Sequence, residues 1–258
     1  MGRCKDIIVK PIKASVANAF VCRYHYSGKV VPNSQLHLGC YLDDVLGGVM
    51  QFGPSLFKKG MLGIVRGTAW NGFIELNRMA FSDILPRNSE SRCISVALRM
   101  IRKNYPHIKW VVSFADGCQC GDGTIYRASG FLLTGITVAE GSGTNFYRLP
   151  NGESYTNITC KMHGYAGAIT HVCDRETFDR SIGTNVSSSA RMDALIKHLG
   201  GVKLRGYSLR YIYFTDPEWR DRLAVPVLPY DAIDKAGARM YLGQHYERDV
   251  DKQGKDVE

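Results

Sequence analysis

The spacing of apolar and polar positions near the middle of the chain predicts a strand, a helix and a second strand. Residues 73–81 form a mostly extended run of apolar and polar side chains. Apolar positions then recur at helical spacing, with Asn88 or Ser89 as the N-cap, until Pro106 ends the helix. The next segment, residues 109–115, has the composition of a buried strand. The pattern is that of a βαβ unit with two parallel strands.

Parallel strands place their carboxyl ends at one edge of a sheet, so we expect Arg78 and Asp116 at the same edge. Ligands of open α/β sheets bind at that edge, and a helix N-terminus presents free N–H groups to anions. We therefore predict a phosphate cradle at the start of the helix, with donors from Arg87, Asn88, Ser89, Ser91 and Arg92. The alternative is a solvated basic helix end, which is the commoner use of such a turn.

The remaining pattern extends this unit into a mixed α/β (α+β) sheet flanked by helices. The flanking elements are an edge strand at residues 7–12, a helix at 16–23, strands 36–42 and 45–52 around an Asp43-Asp44 turn, a short helix from 124 that stops at Gly130, and a strand pair at 131–136 and 145–149 joined by a turn at 141–143. We expect a catalytic core at residues 1–150, an extension packed on it at 151–243, and a charged, disordered tail at 244–258.

Three basic residues are candidate contacts to DNA. The formal net charge is +9, which favours a polyanionic partner, most commonly nucleic acid. The charge is spread along the chain, so a basic soluble enzyme is an equal alternative. Residues 55–72 are rich in Gly and Lys and are predicted to form a mobile basic loop. Its Lys58, Lys59 and Arg66 would either contact DNA phosphates or only be solvated.

Composition excludes several classes of protein. No apolar run reaches the roughly 18 residues of a membrane span and no signal pattern is present, so we expect a soluble, intracellular protein without a membrane partner. The eight cysteines form no C-x-x-C pair, which argues against a disulfide framework and a structural zinc site. Cys118 and Cys120 could ligate a metal, although an ordinary turn is the commoner role.

Two aromatic clusters have a structural and a functional interpretation. His25 lies between two tyrosines just before Gly28, at the end of a predicted helix, and serves either a reaction or only local hydrogen bonding. Tyr207, Tyr211 and Tyr213 alternate along a predicted strand. Core packing is favoured for them over a base-stacking surface.

The order of elements resembles the GNAT acyltransferase superfamily, in which acyl-coenzyme A lies between two diverging central strands. The usual glycine-rich pyrophosphate signature is missing, and residues 87–92 stand in its place. A more specific resemblance, over roughly residues 15–150, is to the Mom family of phage DNA-modification proteins. It is carried by the segments Tyr24–Gly28, Glu75–Arg78, Asn88–Arg92, Ser113–Gly117 and Gly123–Phe131, and more weakly by Tyr211–Phe214.

The Mom resemblance implies conversion of adenine N6 in DNA to a methylcarbamoyl (acetamido-type) derivative, which protects phage DNA from host restriction. It implies an iron-dependent enzyme of the host cytoplasm, with His25, Asp116 and Tyr126 as metal ligands and catalytic residues. Arg78 and Ser91 would face the site of acetyl-CoA or a related acyl donor. The substrate would be double-stranded DNA with its adenine flipped out. The oligomeric state stays open, with a homodimer as one option.

The implied chemistry agrees with these residue types. The N6 lone pair of adenine is delocalised into the ring, so a general base of ordinary strength would not activate it enough. An imidazole, a carboxylate and a phenol are N and O ligands suited to iron. A methylcarbamoyl group contains a nitrogen that simple acetyl transfer does not supply, so the donor stays open. The alternatives are a GNAT-type N-acetyltransferase acting on an amine of a protein or small molecule, and a catalytically silent DNA-binding protein.

Overall fold

The computed structural model describes residues 3–116, 121–138, 146–156, 188–204, 207–238, 240–241 and 244–245, together with 174, 176, 177 and 180. No helix within these ranges is both long and apolar enough to cross a membrane. Cys118, Cys120, the predicted turn at 141–143 and residues 246–258 of the predicted tail lie outside them. The four cysteines that are described in full, at positions 4, 22, 40 and 93, are free thiols.

A seven-stranded mixed sheet forms the centre of the fold. Its strands are β1 (Ile8–Pro11), β2 (Leu36–Leu42), β3 (Val45–Gly53), β4 (Phe73–Phe81), β5 (Trp110–Asp116), β6 (Leu132–Val138) and β10 (Tyr207–Phe214). They lie side by side in the order β1-β2-β3-β4-β5-β10-β6. Strands β1 to β4 pair antiparallel, whereas β4 and β5 pair parallel. The predicted mixed α/β class and the βαβ unit are therefore confirmed.

Several α-helices accompany the sheets within the described residues. They are α1 (Ala14–Tyr24), α2 (Lys58–Leu62), α3 (Ser89–Asn104), α4 (Thr124–Ala128), α5 (Ser188–His198) and α6 (Asp231–Lys235). Helix α1 buries Ala17, Phe20 and Val21 against Val49 and Ala80 of β3 and β4. The buried side chains of α3 recur at helical spacing from Cys93 to Ile101.

The β2–β3 hairpin turns at the predicted place. Asp43 and Asp44 have φ values of 50° and 61°, the left-handed pair that a two-residue type I′ turn requires. Short polar side chains tolerate this conformation better than most, which is why the turn was visible in the sequence.

The prediction of a mobile loop at residues 55–72 is wrong. Residues 58–62 form α2, and Met61, Ile64 and Val65 are buried in a core cluster with Trp110. Gly60 lets the Phe57 ring lie against α2, because a Cβ there would lie 1.9 Å from that ring. The apolar positions that anchor the segment were hidden among its Gly and Lys residues.

The predicted pairing of the strand at 145–149 with the strand at 131–136 is also wrong. Strand β7 (Phe146–Arg148) lies in a separate three-stranded sheet, between β8 (Ser154–Thr156) and β9 (Val202–Leu204). Strand β10 lies beside β6, in the position predicted for the strand at 145–149. Its Tyr207 and Tyr211 are fully buried. The packing interpretation of these tyrosines is thereby confirmed.

The chain divides into two compact units. One comprises Met1–Ala115, Gly123–Gly135 and Leu209–Ala232, and the other comprises Asp116–Asp122, Ile136–Ser208 and Ile233–Glu258. In the second unit a two-residue strand β11 (Met240–Tyr241) pairs with β12 (Gln244–His245). The boundaries at 150 and 243 stay a prediction.

Candidate active site

Strands β4 and β5 are paired at one end only, and we call the space between their unpaired parts the β4–β5 gap. Their register runs from the pair Phe73 and Trp110 to the pair Glu75 and Val112. Both strands are described in full, and both continue beyond this point without further pairing. The Ser113 hydroxyl donates to the Leu76 carbonyl across 3.3 Å where the strands separate. The gap therefore opens at the carboxyl ends of parallel strands, where ligands of α/β sheets bind.

A bulge at Asn77 accompanies this divergence. Gln51 pairs with Arg78 and Phe52 pairs with Leu76, so Asn77 is an extra residue on β4. Its amide oxygen accepts a hydrogen bond of 3.1 Å from the Ser34 hydroxyl. Gly53 on the adjacent strand permits this close approach, since a Cβ there would lie 2.6 Å from the Asn77 oxygen. The bulge alters the direction of the side chains that follow it on β4.

His25 lies immediately after α1, next to Ser27. Its Nδ1 atom is 2.8 Å from the Ser27 hydroxyl and accepts a 3.1 Å hydrogen bond from the Ser27 backbone N–H. Burial, and to a smaller extent the positive charge of Arg78, lower the pKa of His25 to about 3. The imidazole is therefore neutral at pH 7. When Nδ1 accepts the Ser27 N–H, the proton of the neutral ring is on Nε2; only the opposite tautomer, in which Nδ1 donates to the Ser27 hydroxyl, leaves a lone pair on Nε2.

Arg78 connects the segment after α1 to β4. Its Nε donates to the Lys29 carbonyl across 3.0 Å, and Nη1 donates to the Asn77 carbonyl across 2.9 Å. These bonds direct much of the guanidinium toward the backbone, and its charge acts on both His25 and Glu75. That Arg78 also faces an acyl-coenzyme A stays a prediction.

Glu75 is a further candidate residue, which the sequence indicates only as a member of the Glu75–Arg78 segment. Burial raises the pKa of its carboxyl, while contacts with the Ser55 and Asn77 side chains and the charge of Arg78 oppose the rise. We call His25, Arg78 and Glu75 the polar cluster, because the charge of Arg78 acts on both of the others. The feature of the sequence that could have identified Glu75 is a carboxylate inside an otherwise largely apolar strand.

Tyr126 is held by α4 and by neighbouring aromatic rings. Gly123, with φ of 73°, precedes the helix and accepts a 2.9 Å hydrogen bond from the Tyr126 N–H. The Tyr126 ring lies 5.3 Å from the Tyr211 ring and 5.5 Å from the Phe131 ring. The position of this phenol is thus fixed by packing in the first compact unit.

The predicted His–Asp–Tyr metal set remains a prediction. His25 and Tyr126 belong to the first compact unit, whereas Asp116, the last residue of β5, is assigned to the second. Across the described ranges, no three His, Cys, Asp or Glu side chains gather around one point. This absence concerns His, Cys, Asp and Glu only, and a set that includes a tyrosine phenol is not covered by it.

The serine hydroxyl groups at the start of α3 form hydrogen bonds with backbone carbonyls of the same turn. Asn88 has a left-handed φ of 67°, the buried Ser89 hydroxyl donates to the Pro86 carbonyl, and the Ser91 hydroxyl donates to the Asn88 carbonyl across 3.3 Å. The first-turn backbone N–H groups remain as anion donors, as in any helix. Among the described atoms the buried Arg92 Nε makes no hydrogen bond. The phosphate cradle stays a prediction.

The three predicted DNA-contacting residues lie on α2 and the segment after it. Lys58 Nζ lies 4.7 Å above the Trp70 ring and donates to Asn71 Oδ1 across 3.1 Å. Lys59 and Arg66 are exposed. The backbone N–H of Arg66 donates to the Arg222 carbonyl across 2.8 Å. Their contact with DNA stays a prediction.

Comparison with known proteins gives one family and one curated relative. A family model described as the Mom protein family matches residues 6–232. The Methylcarbamoylase mom of Escherichia phage Mu is 42% identical over 156 residues, which are 60% of this chain and 62% of the relative. The alignment thus spans less than two thirds of the relative's own length.

Solved acetyltransferases are similar to the chain at low scores. The spermidine/spermine N-acetyltransferase SpeG from Vibrio cholerae, in complex with manganese ions, has a TM-score of 0.44 at 7% identity, covering 85% of this chain and 99% of its own. The IAA acetyltransferase from Bacillus cereus ATCC 14579 has a TM-score of 0.41 at 9% identity, covering 81% of this chain and 99% of its own. The strand order and the β4–β5 gap define the fold independently of these similarities.

Proposed function

The chain belongs to the Mom protein family, and from this premise we propose that it modifies DNA by converting the N6 amino group of adenine to a methylcarbamoyl derivative. The observation that carries the proposal is the 42% identity to a protein named a methylcarbamoylase. The family match extends over residues 6–232 and so includes His25, Arg78, Asp116 and Tyr126. The modified base would protect phage DNA from restriction in the host cytoplasm.

The substrate we propose is double-stranded DNA with the target adenine flipped out. N6 is not accessible for chemistry inside a stacked duplex, and extrusion of a base costs a few kcal/mol. Contacts between basic side chains and phosphates would offset part of that cost. The net charge of +9 supports this choice of partner.

We propose the β4–β5 gap as the place of the acyl donor, acetyl-CoA or a related thioester. Because an acetyl group has no nitrogen, formation of a methylcarbamoyl group requires either a donor whose acyl group already contains that nitrogen or a separate nitrogen source. The gap opens at the carboxyl ends of two parallel strands, and α3 follows β4 in the chain. The donor's phosphates would face the first-turn N–H groups of α3 and the side chains of Arg87 and Arg92. These interactions would place the acyl group without requiring the missing glycine-rich signature.

Iron is the cofactor we propose, with His25, Asp116 and Tyr126 as the residues that would hold it. The fit rests on the donor types and on the state of His25, because a metal ligand must be a neutral imidazole and the lowered pKa keeps this one neutral. The bound metal would supply Lewis-acid or redox chemistry for a weakly nucleophilic amine.

The chain's own residues have separate roles in this proposal. Ser27 orients the imidazole through Nδ1, and Arg78 holds the segment after α1 against β4. Glu75, whose raised pKa makes it a better proton acceptor than an ordinary carboxylate, would accept a hydrogen bond from the amine that reacts.

The test is nucleoside mass spectrometry of DNA from cells that express the protein, together with metal analysis of the purified protein. We expect a methylcarbamoyl adenine nucleoside with wild type and its loss in His25→Ala. Val45→Ala is the matched control, since it changes an exposed hairpin residue. Unmodified adenine with wild type would contradict the proposal. Turnover of acetyl-CoA without DNA would favour an ordinary N-acetyltransferase instead.

A further inference from the structure

The segment of residues 55–72 presents two large aromatic side chains to solvent. The relative exposure is 68% for Phe57 and 54% for Trp70, and the adjacent Leu56 is 48% exposed. We call Phe57 and Trp70 the aromatic pair. Lys58, which follows Phe57 in the chain, lies 4.7 Å from the Trp70 ring and so links the two aromatic positions. A contiguous exposed apolar surface usually marks a site that binds a partner.

The aromatic pair stands on a rigid base. Met61, Ile64 and Val65 of the same segment are buried in the core cluster below it. The Thr68 hydroxyl donates to the Val65 carbonyl across 2.6 Å and accepts a 3.0 Å hydrogen bond from the Trp110 indole. A rigidly presented aromatic ring loses little conformational entropy on binding, which makes it an effective contact residue.

The charge around the aromatic pair identifies the kind of partner. Residues 55–72 contain Lys58, Lys59 and Arg66 and no Asp or Glu. Lys58 lies against one face of the Trp70 ring. A partner that offers both anions for the cations and flat rings for the aromatic side chains is a nucleic acid with unstacked bases.

The same segment leads directly to the polar cluster. Ser55, two residues before Phe57, is buried and its side chain contacts the Glu75 carboxyl. Phe57 is thus two residues along the chain from a side chain that contacts Glu75.

We propose that Phe57 and Trp70 stack on the DNA bases left unstacked when the target adenine leaves the duplex, while Lys58, Lys59 and Arg66 bind the flanking phosphates. The inference rests on the proposed function and adds the residues that support base extrusion. Apolar side chains that fill a gap in a base stack offset the free-energy cost of opening it.

Binding is measured with the full chain by fluorescence anisotropy, on a pool of duplexes of randomised sequence at several salt concentrations. We expect Phe57→Ala and Trp70→Ala each to weaken binding about tenfold, with an unchanged slope of log K against log salt. The triple variant Lys58→Ala, Lys59→Ala, Arg66→Ala is expected to reduce the magnitude of that slope by about 2 to 3, so that binding depends less on salt.

Two further sets of variants control for the loss of an exposed side chain and for the need for an aromatic ring. Val45→Ala removes a side chain with the same 54% exposure as Trp70, beside the acidic Asp43 and Asp44, and is expected to bind as wild type. Phe57→Tyr and Trp70→Tyr keep an aromatic ring and are expected to restore most of the affinity. If the tyrosine variants bind as poorly as the alanine variants, stacking is not the cause and the inference is overturned.

The remaining outcomes separate this inference from the proposed function. Wild-type affinity in the Phe57→Ala, Trp70→Ala double variant, with adenine still modified, would overturn the inference alone. Unmodified adenine together with DNA binding that depends on the aromatic pair would overturn the proposed function alone. The inference would also be overturned if removal of the aromatic pair left DNA affinity unaffected but abolished binding to anionic lipid vesicles. Loss of self-association on the same removal, again with DNA affinity unaffected, would overturn it as well.

Discussion

The ring of Phe73 stacks on the indole of Trp110, with ring centroids 4.3 Å apart and 6° between the planes. The two residues are register partners on β4 and β5, at the end where these strands are still paired. Trp110 is fully buried, and its indole N–H donates to the Thr68 hydroxyl across 3.0 Å. This contact joins the closed end of the β4–β5 gap to the segment that carries the aromatic pair.

Thr68→Val is predicted to destabilise the protein by about 1 to 3 kcal/mol, because it leaves the buried Trp110 N–H without an acceptor. Thr68→Ser keeps the hydroxyl and is expected to cost clearly less. Urea unfolding followed by tryptophan fluorescence measures both. Equal stability of the valine and serine variants would contradict the role assigned to this hydrogen bond.

Glu75→Gln is predicted to change the pH dependence of stability. The pKa of Glu75 is raised in the folded state, so the folded state holds more protons than the unfolded state between about pH 4.5 and the raised value. The stability of wild type therefore falls as the pH rises through this window. Glutamine does not ionise, so the variant gains stability relative to wild type as the pH increases.

Urea unfolding at a series of pH values from about 4.5 upward measures this difference. Glu218→Gln, which removes an exposed carboxylate, controls for the loss of one negative charge. A stability difference between Glu75→Gln and wild type that stays constant over this range would show that burial does not penalise the ionised carboxylate.

Ser27→Ala is predicted to weaken iron binding about 10- to 100-fold, the usual effect of removing the group that orients a histidine ligand. The measurement is calorimetric titration of the metal-free protein with ferrous ion under anaerobic conditions. Ser95→Ala is the control, because that hydroxyl donates within α3 to the Ser91 carbonyl across 2.8 Å. Unchanged affinity in Ser27→Ala would count against His25 as a ligand.

Gly123→Ala is predicted to lower the level of modified adenine strongly. The residue has φ of 73°, and a Cβ would lie 2.6 Å from the Tyr211 ring, so α4 and Tyr126 must shift. Gly152→Ala separates the effect of the backbone conformation from the effect of the steric clash. Gly152 has φ of 88°, but a Cβ there would meet no atom within 4 Å. We expect Gly152→Ala to cost only the backbone term, about 1 to 2 kcal/mol, and to leave modification intact.

Both variants are compared by thermal unfolding and by nucleoside mass spectrometry. If they lose stability and activity alike, the backbone conformation alone is responsible. A selective loss in Gly123→Ala would link the packing of Tyr211 against α4 to function.

The site was only partly visible in the sequence. His25, Arg78 and Tyr126 were named from segments that resemble a family, and the structure places each of them. Glu75 joins His25 and Arg78 in one cluster only because β4 passes the end of α1, a contact between residues distant in the chain. The exposure of Phe57 and Trp70 likewise depends on which neighbours of the segment are buried.

The sequence by itself determined the elements whose signals are local: the Asp43-Asp44 hairpin turn, the span of α3 and the left-handed Gly130, with φ of 81°, that follows the end of α4. Turn conformation, helical periodicity and a left-handed glycine depend on residues close in the chain. Only the tertiary structure decided that β10 lies between β5 and β6 and that β7 belongs to another sheet. Strand pairing joins segments that are far apart in sequence, and their choice of partner depends on which apolar faces are buried together.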